Sequence, residues 1–187
     1  MSKKVTFDVA GDPDVINFGI GQPSPDLLPV DLMRTASASF LNHAQPAELN
    51  YGERQGDIRF RESLAAFLGE GYFATVEPDK LLVTGGNSQA LDFVCALFTR
   101  PGDTVIVEEP SYFLAFQIFK DHGLNIVSVP VDQDGLDIGR LEEVLAKTRA
   151  KLLYTIPSYH NPSGLTMSLE RRKRLAELSR DCLLYTS

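Results

Sequence analysis

Three short polar segments stand next to apolar runs in this 187-residue chain. They read TGGNSQAL from Thr84, EEPSYF from Glu108 and SYHNPSGLTMS from Ser158. Each combines glycine or proline with amide, hydroxyl or aromatic side chains, the groups that bind small ligands beyond the ends of strands. These segments are therefore the first candidates for a binding site.

The first segment has the composition of an anion-binding turn. A helix that begins after Gly86 would present the backbone N–H groups of Asn87, Ser88 and Gln89, and its dipole would favour a negative charge there. Glycine at 85 and 86 would let the backbone approach a phosphate closely. The same residues also suit an ordinary strand-to-helix turn capped by Ser88. The segment lacks the Gly-Lys-Ser/Thr of a P-loop and the third glycine of a dinucleotide-binding fingerprint.

Ser88 also allows a different interpretation, that of a nucleophilic serine on the strand-to-helix turn of an α/β-hydrolase. That pattern needs a glycine where this chain has Ala90, and it needs an acid and then a histidine at later strand ends. His160 follows a predicted strand, but the sequence assigns it no acidic partner. His122 is predicted to lie at the far end of a helix. The hydrolase hypothesis is therefore weaker than phosphate binding.

Each of the other two segments contains a residue that could touch a planar ligand. Tyr112 follows a predicted strand at the start of a predicted helix, where a flat aromatic ring can cover a ligand ring. An ordinary core tyrosine would suit the same place. Asn161 lies in a turn between a buried strand and a helix, and Pro162 and Gly164 would shape that turn.

Strands that alternate with helices must position these segments. The apolar runs at 103–110 and 151–157 are typical of parallel strands that are covered on both faces. The alternation predicts an α/β fold, with a mostly parallel sheet, helices on both faces and an N-terminal arm ahead of them. Strands are predicted at 80–84, 103–110, 125–132 and 151–157, and helices at 31–42, 58–68, 89–99, 111–123, 137–149 and 168–179.

The composition excludes some classes of partner. With 43% hydrophobic and 23% charged residues, the chain resembles an ordinary globular protein. Its formal net charge of −7 argues against nucleic acid or an anionic membrane as a partner. No apolar stretch suits a signal peptide or a membrane span. Cys95 and Cys182 indicate neither a disulfide framework nor a zinc site, so a cytoplasmic location is expected.

Taken in order, the segments resemble the class I/II pyridoxal-phosphate-dependent aminotransferases of fold type I. The resemblance runs from about Ile16 to about Arg180. The segment PSYHNPSGLTMSLERR is most similar to the 2-aminoadipate and broad-specificity branch of the family. The matching pieces are, in order, an N-terminal arm (FGIGQPSPDLLP), a Tyr-Gly segment (LNYGERQGDIRFRESLAAFL), a phosphate loop (LLVTGGNSQALDF), a ring-stacking turn (VIVEEPSYF) and an Asn-Pro-Thr/Ser-Gly signature (YTIPSYHNPSGLTMSLERRKRL).

The resemblance implies that these segments hold pyridoxal 5'-phosphate. Asn161 would donate a hydrogen bond to the phenolic oxygen of the cofactor ring, and Tyr112 would stack on the pyridine ring. The family often has a cis peptide bond before this proline, so Asn161–Pro162 is predicted to be cis. The phosphate would be held by the turn residues Gly86, Asn87, Ser88 and Gln89.

One further match, Tyr51, implies a homodimer with shared sites, and another, Gly21, concerns the substrate. Tyr51 matches a tyrosine that reaches the phosphate of the neighbouring subunit, and Gly21 matches an arm glycine near the substrate carboxylate. The resemblance implies transamination between an amino acid and a 2-oxo acid. Residues 1–50 would form the arm and a helix, 51–180 would begin the cofactor-binding domain, and the tail 181–187 does not match the family.

The lysine that carries the Schiff base in this family has no counterpart here, so no catalytic residue is assigned. The chain is predicted to be the N-terminal part of an aminotransferase. The alternative is an inactive fragment that at most binds phosphate-bearing ligands weakly. None of the seven lysines lies in the family's lysine context: they are Lys3, Lys4, Lys80, Lys120, Lys147, Lys151 and Lys173.

Overall fold

The order of strands and helices confirms the α/β prediction in the computed structural model, which describes residues 23–72 and 74–182. The chain divides into two units, one that ends at Asp57 and one that begins at Ile58. The helices are α1 (Val30–His43), α2 (Ile58–Tyr72), α3 (Asn87–Phe98), α4 (Phe113–Asp121), α5 (Ile138–Leu145) and α6 (Leu169–Cys182). The strands are β1 (Thr104–Glu109), β2 (Asn125–Asp132), β3 (Gly135–Leu136) and β4 (Ala150–Tyr154).

The first unit contains α1 and two short 3-10 helices, Pro25–Leu27 and Pro46–Leu49. Each of these begins with proline, which suits a first helical position because the N–H there has no helical acceptor. No residue of α1 is buried. Leu32, Met33 and Leu41 are 68%, 60% and 61% exposed, so α1 presents an apolar surface.

The second unit is built on a sheet with the strand order β3-β2-β1-β4. The central strand β1 pairs in parallel with β2 and with β4, as predicted, and Val105 lies opposite Ile126 and Leu152. The sequence did not predict β3, which pairs antiparallel to β2. Gly135 makes this hairpin possible, because it has a φ of 96° and because a Cβ there would lie 2.9 Å from Met167.

Helices cover both faces of the sheet, as predicted. Along β1, Val105 and Val107 pack into one apolar cluster and Ile106 into the other, and all are at most 1% exposed. Burying each such side chain is worth about 1.5–3 kcal/mol. The Val105 cluster includes Cys95 of α3 and Phe119 of α4. The opposite cluster includes Leu141 of α5 together with Leu175 and Leu178 of α6.

The strand predicted at 80–84 is wrong. Lys80 ends a short 3-10 helix, Pro78–Lys80, and residues 81–84 form no strand, although Leu81 has extended dihedral angles. Leu82 and Val83 are 56% and 40% exposed. A strand exists only when a neighbouring strand accepts and donates its backbone hydrogen bonds, and no described strand lies beside this segment.

Two other boundaries differ for a physical reason. The predicted strand 151–157 ends at Tyr154, because the N–H of Ile156 donates to the Glu108 side chain instead of a strand carbonyl. The helix predicted from residue 111 begins only at Phe113, since Tyr112 is extended, with φ −67° and ψ 107°, as the residue before the helix.

Candidate active site

The N-terminus of α3 forms the first part of the candidate site. Gly86 precedes the helix with a φ of 99°, which would strain a residue with a side chain. Its carbonyl accepts the first helical hydrogen bond, from the N–H of Ala90 at 3.2 Å. The earlier N–H groups of Asn87, Ser88 and Gln89 therefore have no acceptor within the helix and lie at its positive end.

The side chain of Gln89 shapes this turn from within. Its Oε1 accepts a hydrogen bond from the N–H of Gly85 at 2.5 Å, and the Thr84 hydroxyl donates to the Gly86 carbonyl at 3.2 Å. The Gln89 side chain is thus engaged with the protein backbone. Its predicted contact with a ligand rests on the backbone N–H alone.

A cavity of about 350 Å³ lies between α3, α4 and β4. Asn87 and Ser88 line one part of its wall, and Tyr112 and Tyr154 line another. The rest of the wall consists of apolar side chains from α3, α4 and β4. The structure thus brings three predicted site residues to one cavity, whereas Gly86, Gln89 and Asn161 are not part of its wall.

Tyr154 also lines the cavity, which was not predicted from the sequence. It is half-buried at the end of β4, with its ring edge-on to Phe119 at a centroid distance of 5.7 Å. Burial, followed by the proximity of Tyr112 and Glu108, raises the pKa of the Tyr154 hydroxyl above its ordinary value. The hydroxyl therefore stays protonated and can donate a hydrogen bond at neutral pH. The sequence feature that could have indicated this residue is a tyrosine at the end of a largely apolar strand.

Tyr112 fits both interpretations that its sequence context allowed. It is half-buried and packs against the apolar cluster of α3 and α4, as a core tyrosine would. Its ring also lines the cavity and lies 5.8 Å from the ring of Phe113, at an interplanar angle of 55°. A role in covering a ligand ring stays a prediction.

Asn161 lies in the turn that follows β4. The peptide bond between Asn161 and Pro162 is cis, as predicted. The Asn161 side chain is exposed and makes no hydrogen bond to any residue that the structure describes. Because β1 and β4 are parallel neighbours, this turn and the Tyr112 turn leave the sheet at the same edge.

A buried carboxylate on β1 holds the start of the Asn161 turn. Glu108 is 1% exposed. Its Oε1 accepts from the Thr155 hydroxyl and its Oε2 from the Ile156 N–H, both at 2.7 Å. His160 Nε2 lies 3.2 Å from Oε2, but its N–H is not aligned well enough for a regular hydrogen bond. No role was predicted for Glu108, although its position in an apolar strand could have indicated a buried carboxylate.

The contacts of His160 do not support the hydrolase hypothesis. His160 does face an acid, Glu108, but its Nδ1 lies 2.7 Å from the hydroxyl of Ser163 and not near Ser88. His122 Nε2 instead lies 2.7 Å from a carboxylate oxygen of Asp92. Within the described ranges, Ser88 makes no hydrogen bond to a histidine.

Arg172 of α6 closes the ends of the same loop. Its guanidinium donates to the Pro157 carbonyl at 2.5 Å, to the Ser158 hydroxyl at 3.1 Å and to the Met167 carbonyl at 2.9 Å. The N–H of Met167 donates to the Pro157 carbonyl at 2.9 Å. The loop that carries Asn161 is therefore tied both to the sheet and to α6.

The structure does not test the roles predicted for two further residues. Tyr51 belongs to the first unit, and its side chain is fully exposed at 101%. Gly21 lies outside the described residues. The roles that the resemblance implies for both stay predictions.

No lysine in the described part of the chain lines the cavity. The lysines in that part are Lys80, Lys120, Lys147, Lys151 and Lys173, and Lys3 and Lys4 lie outside it. Within residues 23–72 and 74–182, therefore, the structure places no amine where it could form a Schiff base in this cavity.

Other reactive groups add no second site among the described residues. These residues contain no cluster of His, Cys, Asp and Glu side chains that could hold a metal ion. Burial and the nearby Asp92 raise the pKa of the Cys95 thiol to about 11, so it is not a nucleophile at neutral pH. No helix in the described ranges has the length and apolar character needed to cross a membrane.

Comparisons with known proteins agree with this arrangement. The model of the family described as aminotransferase class I and II matches residues 13–186. Aromatic-amino-acid aminotransferase 1 of Thermococcus litoralis is 36% identical over 171 residues, which cover 89% of this chain and 41% of the relative. The 2-aminoadipate transaminase of Thermus thermophilus is 36% identical over 166 residues, which cover 89% of this chain and 40% of the relative.

A solved structure shares both the fold and the sequence pattern. The kynurenine aminotransferase of Pyrococcus horikoshii, determined in complex with PMP, superimposes with a TM-score of 0.80 at 33% identity. The match covers 87% of this chain and 41% of that one. The chain spans about 40% of the length of the curated relatives that it matches. Because the family match extends over residues 13–186 and includes every segment of the candidate site, the chain belongs to the class I and II aminotransferase family.

Proposed function

We propose that the turn at the N-terminus of α3, Tyr112 and Asn161 bind pyridoxal 5'-phosphate for transamination between an amino acid and a 2-oxo acid. This turn, called the α3 turn below, consists of Gly86, Asn87, Ser88 and Gln89. The observation that carries the proposal is the single cavity that Asn87, Ser88 and Tyr112 line together. It combines unpaired N–H donors with an aromatic ring. Its volume of about 350 Å³ is in the range of pockets for small ligands.

The α3 turn suits the phosphate group. Asn87, Ser88 and Gln89 present their N–H groups at the positive end of the helix dipole, where a dianion is stabilised. A Cβ on Gly86 would meet no atom within 4 Å, so the turn leaves open space on that side. The phosphate would occupy this space.

The ring of the cofactor would lie between the ends of β1 and β4. Tyr112 would cover one face of the ring, since stacked aromatic rings attract each other beyond their buried area. The unpaired amide of Asn161 would donate to the phenolic oxygen, and a hydrogen bond to a charged oxygen is among the stronger kinds. The protonated hydroxyl of Tyr154, which lines the cavity beside Tyr112, would be another donor to the ring.

The protein's own residues would bind and orient the cofactor. When bound, pyridoxal phosphate supplies an electron sink that makes the α proton of an amino acid removable. The apolar side chains of α3, α4 and β4 would keep water from one side of the site. No described lysine lines this cavity, so we infer that residues 23–72 and 74–182 hold the cofactor without supplying the base.

The identity of the substrates follows from the relatives only at the level of class. The relatives carry names that include aromatic amino acids, 2-aminoadipate and kynurenine. An amino donor and a 2-oxo acid acceptor of the 2-aminoadipate or broad-specificity type are therefore proposed for the parent enzyme in the cytoplasm. A homodimer is proposed as well, in which Tyr51 reaches the partner's phosphate site and Gly21 lies near the substrate. The exposed Tyr51 and the apolar surface of α1 support it.

The second candidate function is weak binding of phosphate-bearing ligands without catalysis. It is favoured by the lack of a described lysine at the cavity. The two candidates differ in what the chain recognises. A cofactor site recognises both the phosphate and the pyridine ring, whereas a general anion site recognises only the phosphate.

Binding of pyridoxamine 5'-phosphate (PMP) tests the proposal, because this form of the cofactor needs no covalent bond to lysine. Isothermal titration of the 187-residue chain should show that PMP binds at least about tenfold more tightly than pyridoxamine, since the phosphate adds charged hydrogen bonds worth about 1.5–3 kcal/mol each. Inorganic phosphate should compete, but more weakly than PMP. Equal affinities for PMP and pyridoxamine would contradict the phosphate turn. Equal affinities for PMP and inorganic phosphate would favour the general anion site.

A further inference from the structure

The turn that carries Asn161 is built around a buried carboxylate and imidazole. Glu108 and His160 are 1% and 4% exposed, and their Oε2 and Nε2 atoms lie 3.2 Å apart. Glu108 belongs to β1 and His160 follows β4, so the pair joins the ends of two neighbouring strands. Burying both groups is costly unless their polar atoms are matched.

The surroundings of Glu108 suit a group that only accepts hydrogen bonds. The Thr155 hydroxyl donates to one carboxylate oxygen and the Ile156 N–H to the other, each at 2.7 Å. His160 Nε2 approaches the second oxygen. A carboxylate has lone pairs for the two hydrogen bonds and for the nearby ring nitrogen, because each of its oxygens can accept more than one bond.

The other ring nitrogen of His160 determines which tautomer is present. Nδ1 accepts from the backbone N–H of Ser163 at 3.4 Å and lies 2.7 Å from the Ser163 hydroxyl. A backbone N–H can only donate, so Nδ1 must carry a lone pair. The ring proton is therefore on Nε2, on the side of Glu108.

This pair acts on the backbone around Asn161. The N–H of His160 donates to the Leu165 carbonyl at 2.8 Å, and the N–H of Gly164 donates back to the His160 carbonyl at 2.5 Å. Asn161 lies inside this closed turn, and its own side chain has no partner among the described residues. The direction of its amide is therefore set by the turn and not by contacts of its own.

We propose that Glu108 and His160 are positioning residues that aim the Asn161 amide at the ring of the cofactor. The carboxylate of Glu108, 3.2 Å from Nε2, favours the Nε2–H tautomer of His160 electrostatically, and His160 Nδ1 then accepts from Ser163 and closes the turn. Neither residue needs to touch the cofactor. The inference rests on the proposed function, because it assumes that Asn161 binds the cofactor ring.

Nitrogen-15 NMR of the wild-type 187-residue chain tests the first step without any variant. The ring signals of His160 should show a protonated Nε2 and an unprotonated Nδ1 near neutral pH. A proton on Nδ1, with or without one on Nε2, would overturn the proposal, because Nδ1 could then not accept from Ser163.

Hydrogen exchange of the amides at 163–165 tests the second step. Glu108→Ala and His160→Phe should speed their exchange by about tenfold or more, since the closed turn opens more often. Glu108→Gln should change it little, because the amide oxygen can still accept from the Ile156 N–H and face the ring nitrogen of His160. His122→Phe is the matched control, since it removes the separate contact with Asp92. Unchanged exchange in both Glu108→Ala and His160→Phe would overturn the proposal.

A double-mutant cycle with PMP separates this inference from the proposed function. Asn161→Ala should weaken PMP binding, His160→Phe should weaken it to a similar extent, and the double variant should lose no more than Asn161→Ala alone. If Asn161→Ala weakens binding and His160→Phe does not, the positioning role is wrong and the cofactor site stands. If Asn161→Ala has no effect, the role of Asn161 in the proposed function is wrong, and the positioning role is overturned with it.

Discussion

Asn87 is the residue at which the phosphate hypothesis can be tested with the least disturbance of the fold. It is the first residue of α3, a position where proline is well tolerated because the N–H has no helical acceptor. Asn87→Pro therefore removes one N–H donor and keeps the helix.

We expect Asn87→Pro to weaken PMP binding by about tenfold or more, because a hydrogen bond to a charged oxygen is worth about 1.5–3 kcal/mol. Asn87→Ala keeps the backbone N–H and should bind PMP nearly as well as the wild type. Isothermal titration measures both affinities, and circular dichroism checks that α3 remains. Equal losses in the two variants would show that the side chain, and not the N–H, makes the contact.

Tyr112 separates the two interpretations of a cavity-lining aromatic ring. Tyr112→Phe keeps the ring and should change PMP affinity little. Tyr112→Ala should weaken it by about twofold to tenfold, which corresponds to the stacking energy of about 0.5–1.5 kcal/mol. PMP fluorescence reports the binding. If both variants bind as the wild type does, Tyr112 is a core residue only.

At the scale of elements, two arginines of α6 hold neighbouring loops through hydrogen bonds. Arg172 ties the Asn161 loop, and Arg171 binds the β2–β3 hairpin. Arg171 donates to both carboxylate oxygens of Asp132, at 2.7 and 2.8 Å, and to the carbonyls of Gly135 and Leu136. These bonds place the hairpin against the segment around Met167.

The contact between Arg171 and Asp132 predicts a dependence of stability on pH. The hydrogen bond from Arg171, with a second from the Asp134 N–H, lowers the pKa of the Asp132 carboxyl below its ordinary value. Because the folded-state pKa lies below that of the unfolded chain, the contact contributes fully above about pH 4 and is lost as the pH falls further. The carboxylate is 48% exposed, so the contribution is below about 1 kcal/mol.

Urea unfolding of the wild type and of Asp132→Asn measures this effect. The wild type should be the more stable protein at neutral pH, and the difference in the free energy of unfolding should shrink progressively as the pH falls below about 4. The substitution preserves side-chain size and removes the charge. A difference that stays constant or grows on acidification would contradict the assignment.

At the scale of the whole molecule, the sheet ends in strands that have only one partner. Among the described strands, β4 pairs only with β1, so its outer edge carries unpaired backbone groups. Apolar side chains such as Leu82, Phe93 and Leu97 are exposed, at 56%, 39% and 76%. Surfaces of this kind favour association with another strand or another chain.

We therefore expect the 187-residue chain to associate with increasing concentration and to show no transamination. Sedimentation velocity over a range of concentrations tests the association. Amino transfer from glutamate or 2-aminoadipate, with added pyridoxal phosphate, tests the activity, to which a positioned general base contributes about 10²- to 10⁴-fold. A chain that stays monomeric at high concentration would contradict the argument from the sheet edge. Measurable turnover would mean that a lysine of this chain reaches the cofactor.

The sequence by itself determined the features that depend on neighbouring residues along the chain. Apolar runs predicted three of the strands, and their alternation with helices predicted a sheet covered on both faces. The strands and helices follow from local backbone preference and from the period of apolar side chains, which any short window of sequence contains. The order of the motifs indicated the family, and the resemblance to that family in turn predicted the cis bond between Asn161 and Pro162.

Only the tertiary structure decided which distant residues meet. It brought Glu108 next to Ile156 and His160, and it placed Tyr154 in the same cavity wall as Asn87. It also left residues 81–84 without a strand, because a strand requires a neighbour that the local sequence cannot supply. Contacts between residues far apart in the chain depend on how the elements pack, and packing is a property of the whole fold and not of any single segment.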